Sequence, residues 1–479
     1  MDRHLDDDFV CEDEYMAQAN VEDGKIEPFD LDKMPNERLD TAQESIRRMD
    51  KQREEFVAKR RAPSTPFNRL INLVIPYGGI LSSALNMSSS SIGAGIISIP
   101  SAFETSGMIM GVIYLVIIAL LTVYSFTVLG IAAEKTGLRN YEQIIRTLMG
   151  SGADYWLAFC LWFMCFGGEI SYVISLRDII TEFLTNSSST SAYLKTKPGA
   201  NVITSMVWLG FMLPLCLPKE INSLRYCSFF AILFIIFFVI CMIIHSSMNG
   251  LKDGPNPEVE MFQTGNKAII GLSIFIYCFV NQVNAMEIYG EMHRPSVKRL
   301  TMSAGVSMTL CFTLYFLAGF FGYMDFGPQV SVGSTMKLYN PIKEPLFGVS
   351  YVGIMFKVCV GFGLHMIPIR DAVYHFCGTN ASRVSWFKNA LVCTFFATAA
   401  LICGLFIPRV DFVFGLVGGF AGAFIAFIFP AFGFIYTGNW SLRTVGVFHY
   451  FATYFLLICG VIGVVFGTIS TIYGEVLRH

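Results

Sequence analysis

Apolar runs of about 20 residues recur from Ile80 to Tyr473, and they constrain the fold more than any other feature of this sequence. Each run is long enough to cross the hydrocarbon core of a bilayer as an α-helix. Little polar sequence separates the runs, and only 15% of residues are charged, against about 25% in soluble domains. The chain is therefore predicted to be an all-α integral membrane protein embedded in a lipid bilayer.

The runs predict eleven membrane spans, at residues 80–104, 109–133, 154–183, 201–217, 224–246, 266–290, 301–324, 346–370, 386–407, 411–436 and 444–472. Lysine and arginine are more frequent in the loops on one side of these spans, and such loops face the cytosol. The polar tail 1–77 is then a cytosolic, largely disordered region, and the C-terminus is lumenal or extracellular. The sequon at Asn186 falls in a predicted outer loop, where glycosylation is possible.

Two stretches resemble each other at an offset of 193 residues, GGEISYVISLRDII from Gly167 and VGFGLHMIPIRDAV from Val360. The same offset carries several spans of the first half onto spans of the second half. By the predicted topology the two stretches lie at opposite ends of their spans, which indicates an inverted repeat. The predicted domains are two five-helix repeats at 78–246 and 266–436, with an eleventh helix and short C-terminus at 444–479.

The first span of each half carries polar residues or glycine at mid-depth: SSSSIGAGIISIP at 88–100 and FVNQVNAMEIYGE at 279–291. We interpret both as broken helices, because unwound backbone inside a membrane is tolerated where it lines a cavity. The half-helix from Ile96 would direct N–H groups at a carboxylate, and carbonyl oxygens at 281–284 would accept from an ammonium group. The expected ligand is an α-amino acid. The alternative is that the small residues allow close packing of unbroken helices.

The candidate substrate-binding residues are Ser89, Ser90, Ser91, Gly93, Ala94, Gly95, Tyr172, Asn281 and Asn284. Ionisable residues within spans are functional candidates, and the ion-coupling candidates are Glu169, Glu287, Lys357, Gly361 and His365. The alternatives are ordinary ion pairs for the two glutamates, such as Glu169 with Lys357, and a satisfied core histidine. The gating or structural candidates are Arg177, Asp178, Arg370 and Asp371.

The segments SSSSIGAGIISIPSAF, FVNQVNAMEIYGEMHRPS and HMIPIRD resemble the first span, the sixth span and the PxR motif of the amino acid/auxin permease family. The resemblance covers about residues 75–470. It implies the five-plus-five inverted-repeat fold of the bacterial leucine transporter and secondary active transport of amino acids. The likeness is to fungal vacuolar amino acid transporters and then to sodium-coupled neutral amino acid transporters, so neutral substrates and a vacuolar or other endomembrane are expected, with the plasma membrane second.

Two positions depart from the sodium-coupled members of that family. Ser89 stands where those members carry asparagine, and Gly361 stands where they carry threonine. Lys357 lies one helical turn before Gly361, so a fixed or titrating cation is expected in the place of a sodium ion. We therefore favour protons over sodium as the coupling ion.

Other classes of function fit less well. The thirteen cysteines are scattered with no CxxC, which supports neither a disulfide framework nor a metal site. The sequence shows no basic stripe for nucleic acid, no phosphate loop and no cofactor motif, and His365 and Asp371 are one residue too far apart for the H-x4-D pattern of membrane acyltransferases. Two polar breaks fit one occluded site better than a channel filter. The alternative kept open is an amino-acid sensor that binds without efficient flux.

Overall fold

The computed structural model of the protein describes residues 76–188, 190–218, 224–252, 254, 256–379, 384–438 and 440–477, together with residues 51, 55 and 58. For residues 224–231 only the backbone is described. The predicted disordered tail and its basic cluster therefore lie almost wholly outside the described residues.

The described part of the chain is all-helical, with no β-strand. Its first half contains α1 Ile80–Ser91, α2 Ile99–Ser106, α3 Met108–Thr136, α4 Tyr141–Met149, α5 Ala153–Asn186, α6 Lys197–Val207, α7 Leu213–Cys216 and α8 Leu224–Met248. Its second half contains α9 Asn266–Phe279, α10 Ala285–Glu291, α11 Val297–Phe326, α12 Pro345–Phe376, α13 Trp386–Phe406, α14 Val410–Val417 and α15 Phe429–Ile435. The C-terminal segment contains α16 Leu442–Val445, α17 Val447–Ile462 and α18 Thr468–Val476.

Short non-α turns continue several of these helices. Turns of π-helix at Trp208–Met212, Gly418–Gly422, Phe424–Ile428 and Gly463–Gly467 keep α6–α7, α14–α15 and α17–α18 as continuous rods. Turns of 3₁₀-helix at Ala94–Ser98 and Gln282–Asn284 instead follow interruptions of the rod. The fold therefore has both continuous and broken apolar helices.

Helices occupy all of the predicted spans, but the described residues do not establish eleven crossings. Nine helical segments in the described ranges are long and apolar enough to span a membrane, and the bent pair Ile80–Ser91 and Ala94–Ser106 makes a tenth. At the predicted fifth span, the part of α8 with described side chains is the shorter apolar segment Ile232–Met248. A multi-pass membrane fold is confirmed, whereas the count of eleven and the five-plus-five repeat stay predictions.

Contacts between loops and helix ends define two ends of the bundle. At one end, Gly78 O accepts from His293 N at 2.9 Å, and Asp154 lies 3.2 Å from the ring of His375. We call it the inner end, because the predicted topology places it in the cytosol. At the other, outer end, Ser106 O accepts from Gln263 N at 3.0 Å.

The long helix α5 lies at the centre of the bundle. Its most apolar 18-residue window is 78% buried, whereas the same measure is 33% for α13. α5 packs along α12, and the glycines on this face leave room for the neighbouring helix. At Gly168, for example, a Cβ would lie only 2.7 Å from Cδ2 of His365. Because α5 and α12 are central and closely packed, they can hold side chains rigidly against a cavity.

Proline shapes α12 in two places. Pro345 opens the helix, where its missing N–H costs nothing because first-turn donors have no helical partner. Pro368 lies inside the helix, so the carbonyl of Leu364 receives no helical hydrogen bond from it. The second proline therefore removes one helical hydrogen bond from the inner half of α12.

Candidate functional site

The first break interrupts the chain between α1 and the Ala94–Ser98 turn. Ile92 and Gly93 leave the helical conformation, with ψ angles of 79° and −144°. The two half-helices meet at a bend of 53°. The predicted break near Ser91–Gly95 is therefore present.

The glycines of this break also serve close packing. A Cβ on Gly95 would lie 2.7 Å from Sγ of Cys278, and a Cβ on Gly93 would lie 3.1 Å from Oη of Tyr172. Ordinary contacts of a Cβ begin at about 3.4 Å. The two interpretations weighed from the sequence are thus not exclusive, because the helix is broken and its glycines also admit neighbouring helices.

The second break interrupts the chain between α9 and α10. Val280 has a ψ of 115° and Asn281 has a φ of −139° with a ψ of 8°, after which the Gln282–Asn284 turn leads into α10. The Asn281 side chain donates from Nδ2 to the Met87 carbonyl at 2.8 Å. This bond ties the second break to the inner half of the first broken helix.

A cavity of about 170 Å³ lies on the inner side of both breaks, between α1, α5, α10 and α12. The predicted site residues that line it are Ser89, Ser90, Tyr172, Asn281, Asn284, Glu287, Lys357, Gly361 and His365. The wall also contains Asn86, Met164, Cys165, Val280, Val283, Ile288, Glu291, Leu364, Ile367 and Pro368. Its volume is below the ~300–1,000 Å³ of pockets for drug-sized ligands, so the cavity suits a small solute.

Five of the predicted substrate-binding and ion-coupling residues lie outside the cavity wall. Ser91, Gly93, Ala94 and Gly95 form or follow the break itself, and Glu169 of α5 is not among the lining residues. Gly93 still contacts the site through Oη of Tyr172. The backbone of the break is therefore adjacent to the cavity. The polar residues of this broken helix that line the cavity lie in α1, before the break.

Two lining residues were not selected from the sequence although helical spacing points to them. Asn86 lies three and four residues before Ser89 and Ser90, on the same face of α1. Glu291 lies four residues after Glu287 and extends the polar stripe of α10 to the inner end. Helical periodicity extended from the predicted residues would have found both.

The buried Lys357 holds the end of α1. Its side chain is only 4% exposed, and Nζ donates to the Ser89 carbonyl at 2.8 Å. The last four carbonyls of a helix lack intrahelical donors and carry the negative end of the helix dipole. The amino group of Lys357 therefore provides a donor to the Ser89 carbonyl at the end of α1, beside the break.

Tyr172, Gly361 and His365 form one interlocked group. A Cβ on Gly361 would lie 2.8 Å from Oη and Cζ of Tyr172, so the tyrosine ring fills the space that a side chain would need. The His365 ring meets the Tyr172 ring edge-on at 5.1 Å, and its Nδ1 donates to the Gly361 carbonyl at 3.0 Å. This group brings a phenol hydroxyl and an imidazole to the cavity wall.

Glu169 is fully buried, and neither of its carboxyl oxygens has a hydrogen-bond partner within the described residues. The described residues show no ion pair between Glu169 and Lys357, the alternative weighed from the sequence, since neither carboxyl oxygen has a partner; Nζ of Lys357 donates to the Ser89 carbonyl. The thiols of Cys216 and Cys393 lie within electrostatic range of Glu169. Glu169 does not line the cavity itself, although the lining residues Cys165 and Tyr172 also lie within electrostatic range of it.

Glu287 was expected deep within its span, but the structure places it on the cavity-facing side of α10 with an exposed side chain. The acidic residues Glu291, Asp371 and Glu142 lie within electrostatic range of it. An ion pair of Glu287 with lysine or arginine, the alternative weighed from the sequence, is not present among the described residues. The correction follows from the break, because α10 starts at Ala285 and turns this face to the cavity.

The arginines of the two similar stretches make different contacts. Arg177 donates from NH1 to the carbonyls of Gly404, Leu405 and Ile407 at 3.0–3.1 Å, where α13 ends. Asp178 lies 3.2 Å from Nζ of Lys337. Nε of Arg370 donates to Asp371 at 3.0 Å. Neither pair lines the cavity.

The outer side of the breaks is covered by the segment after α11. Ser98 Oγ donates to the Gly333 carbonyl at 2.8 Å, and Thr335 Oγ1 donates to the Ile97 carbonyl at 2.9 Å. The ion pair of Lys337 with Asp178 fastens the same segment to α5. The breaks are thus covered on the outer side, whereas the cavity lies on the inner side.

The side-chain amide of the glycosylation candidate Asn186 is hydrogen-bonded to neighbouring residues. Its Nδ2 donates to Glu182, and its Oδ1 accepts from Asn340 Nδ2 at 2.7 Å. A glycan on this nitrogen would replace these donor contacts. Modification at Asn186 stays a prediction.

Comparisons with known proteins agree with the motifs. The sequence model of the family described as "Transmembrane amino acid transporter protein" matches residues 77–473. Among curated proteins, the sodium-coupled neutral amino acid symporter 2 of Danio rerio is 23% identical over 377 residues, covering 73% of each chain. The family and this relative are transporters rather than enzymes. The match extends over most of the chain and confirms the resemblance inferred from the motifs.

Proposed function

The chain belongs to the family of transmembrane amino acid transporter proteins, and on that premise we propose that it moves neutral α-amino acids by alternating access, driven by protons. The observation that carries this proposal is the cavity that ends at two facing helix breaks. Such discontinuous helices offer N–H groups to a carboxylate and carbonyl oxygens to an ammonium group. An α-amino acid carries both groups on one carbon.

The binding mode follows from the side chains at the breaks. The backbone from Ala94 onwards and the hydroxyl group of Tyr172 would receive the carboxylate. The carbonyls beside Asn281, on the opposite side, would receive the ammonium group. The substrate side chain would then extend between α5 and α12, where Met164, Cys165 and Leu364 provide apolar surface. This apolar surface supports neutral substrates.

The proposed proton coupling rests on Lys357. Its Nζ already donates to a carbonyl of the first break, which is where a bound cation would compete for the same oxygen. Glu287 and His365 are further groups in the cavity wall that can exchange protons, and Glu169 is a buried carboxyl group that does not line the cavity. The Danio rerio relative is named as sodium-coupled, so sodium is the rival ion.

The proposed membrane is the vacuole or another endomembrane, with the plasma membrane second. This part of the proposal is supported by the resemblance to fungal vacuolar transporters. The cytosolic N-terminus and the lumenal or extracellular C-terminus are proposed from the distribution of lysine and arginine among the loops.

The test is uptake of a labelled mixture of alanine, leucine and glutamine into proteoliposomes that contain the full chain. Three conditions are compared: an imposed pH gradient without sodium, a sodium gradient at equal pH, and no gradient. Wild type is measured beside Gly93→Leu, which places a large side chain against Tyr172. The matched control is Gly210→Leu, because a Cβ at Gly210 meets nothing within 4 Å.

Accumulation driven by the pH gradient, lost in Gly93→Leu and kept in Gly210→Leu, is the expected result. Accumulation driven only by sodium would overturn the coupling ion but not the site. Unchanged uptake by Gly93→Leu would overturn the assignment of the first break to substrate binding. Binding without uptake by wild type would favour the amino-acid sensor.

A further inference from the structure

One tyrosine hydroxyl group contacts the ends of both broken helices. Tyr315 of α11 is fully buried, and its Oη lies 2.9 Å from the Ser91 carbonyl and 2.9 Å from the Cys278 carbonyl. Ser91 is the last residue of α1, and Cys278 is the second-last residue of α9. The hydroxyl group is therefore placed between the ends of the two broken helices.

The chemistry of these three groups restricts what they can do together. Carbonyls at helix C-termini lack an intrahelical donor, and at membrane depth the protein has to supply one. A phenol has a single hydrogen to donate, so Oη can bond fully to only one of the two carbonyls at a time. The Ser91 carbonyl also accepts from Gly93 N at 2.9 Å. Among the described bonds, the Cys278 carbonyl is therefore the one that depends on this hydrogen, and it keeps Tyr315 as its donor only while α9 remains close to the hydroxyl group at the end of α1.

We propose that Tyr315 is a positioning residue for transport, which holds the two breaks at the separation that lets one amino acid bridge them. This inference rests on the proposed function of the cavity. Tyr315 does not line the cavity, so its effect on the substrate passes through the backbone of the two breaks. Without the hydroxyl group, both helix ends lose this common partner and their separation is less well fixed.

The neighbouring contacts of α11 explain why Tyr315, rather than another residue of this helix, would hold the two breaks at a fixed separation. Ser303 Oγ donates to the Ile80 carbonyl at 3.1 Å, and Ser307 Oγ hydrogen-bonds Ser88 Oγ at 3.0 Å. These serines and Tyr315 follow each other at multiples of four residues, so one face of α11 runs along α1. The serines contact only the first broken helix in these bonds, whereas Tyr315 also contacts α9 through the Cys278 carbonyl.

The experiment compares Tyr315→Phe with Tyr351→Phe in the full chain. Tyr351 is also fully buried, and its hydroxyl group donates to the Met336 carbonyl at 2.9 Å, with the Tyr339 carbonyl at 3.4 Å. It therefore offers the same chemistry away from the breaks. Uptake KM and maximal rate are measured for alanine, leucine and glutamine separately. Melting temperature is measured with and without each amino acid.

Tyr315→Phe is expected to raise KM about tenfold, since an unsatisfied buried carbonyl costs about as much as a tenfold change in affinity. The rise should be similar for all three amino acids, because the breaks bind the groups that they share. The shift in melting temperature on adding each amino acid should shrink in parallel. Tyr351→Phe should lower the melting temperature with KM unchanged.

A KM for Tyr315→Phe within twofold of wild type would overturn the inference, and so would an equal rise in KM for Tyr351→Phe. The change in melting temperature on adding an amino acid reports binding without flux. It therefore tests the inference even if the protein is an amino-acid sensor that does not transport. If wild type neither binds nor accumulates any of the three amino acids, the proposed function fails first and this inference falls with it. If wild type transports and Tyr315→Phe is unaffected, the inference alone fails.

Discussion

The contact between Gly95 and Cys278 provides a direct test of how tightly the two breaks are packed. Gly95 lies in the turn after the first break, and Cys278 lies just before the second. A Cβ added at Gly95 would be 2.7 Å from the Cys278 Sγ, about 0.7 Å closer than ordinary contact allows. Gly95→Ala must therefore push the outer half of the first helix away from α9.

The expected cost follows from the size of this overlap. Overpacking a well-packed interior by one methyl group costs about 1–3 kcal/mol. If the strain acts on the substrate-bound state, KM rises about 5- to 150-fold, because each 1.4 kcal/mol is a factor of ten. The lower end applies if the cysteine side chain rotates away, since Sγ is the nearest atom and the Cβ of Cys278 is 3.6 Å distant.

The distances also predict a rescue. Cys278→Ala removes Sγ and leaves two methyl groups at 3.6 Å, which is ordinary contact. The double variant should therefore reverse most of the increase in KM that Gly95→Ala causes. A double-mutant cycle measures this non-additivity. Gly305→Ala in α11 is the control, because a Cβ there meets nothing within 4 Å. Uptake by Gly95→Ala at the wild-type KM, or a double variant no better than the single one, would refute the reasoning.

Two further predictions concern charged groups. Lys357→Met should abolish accumulation driven by a pH gradient, while exchange of labelled for unlabelled amino acid continues. The variant keeps the length of the side chain but removes the cation from the Ser89 carbonyl. Unchanged gradient-driven accumulation would contradict proton coupling through this residue. Arg177→Lys should lower the melting temperature by about 2–4 °C with KM unchanged, because an ammonium group does not match the planar fork that serves three carbonyls of α13. A change in KM without a loss of stability would instead place Arg177 in the transport cycle.

The sequence predicted the breaks because polar residues inside an apolar run have few physical explanations. Serine and glycine at 88–95 and asparagine at 281–284 cannot face lipid without cost, so a cavity or a break had to follow. The structure places the interruptions at Ile92–Gly93 and Val280–Asn281, within those segments. Helix positions were predictable for the same reason, since apolar length alone fixes a span.

The facing of single residues was less predictable. Glu287 was expected in the interior of its span, yet the break turns it into the cavity. Glu169 does not line the cavity, whereas Tyr172, three residues later, does. Helical periodicity assigns residues to a common face, but it does not say which helix that face meets. Tyr315 gave no signal in the sequence, because one tyrosine in an apolar helix looks like any other aromatic core residue until its two carbonyl partners are known.

The contacts around the cavity divide its walls into two units. The first unit joins α1 to α9–α10 through Asn281 and Met87 and through Tyr315. The second unit joins α5 to α12 through the interlocked Tyr172, Gly361 and His365. The bond from Lys357 to the Ser89 carbonyl crosses from the second unit to the first. Alternating access requires such units to move against each other, and a bond between them that depends on the charge of one lysine would change strength with its protonation. Under the proposed proton coupling, this bond is where a proton would act on the conformational change, which is why Lys357→Met should separate gradient-driven accumulation from exchange.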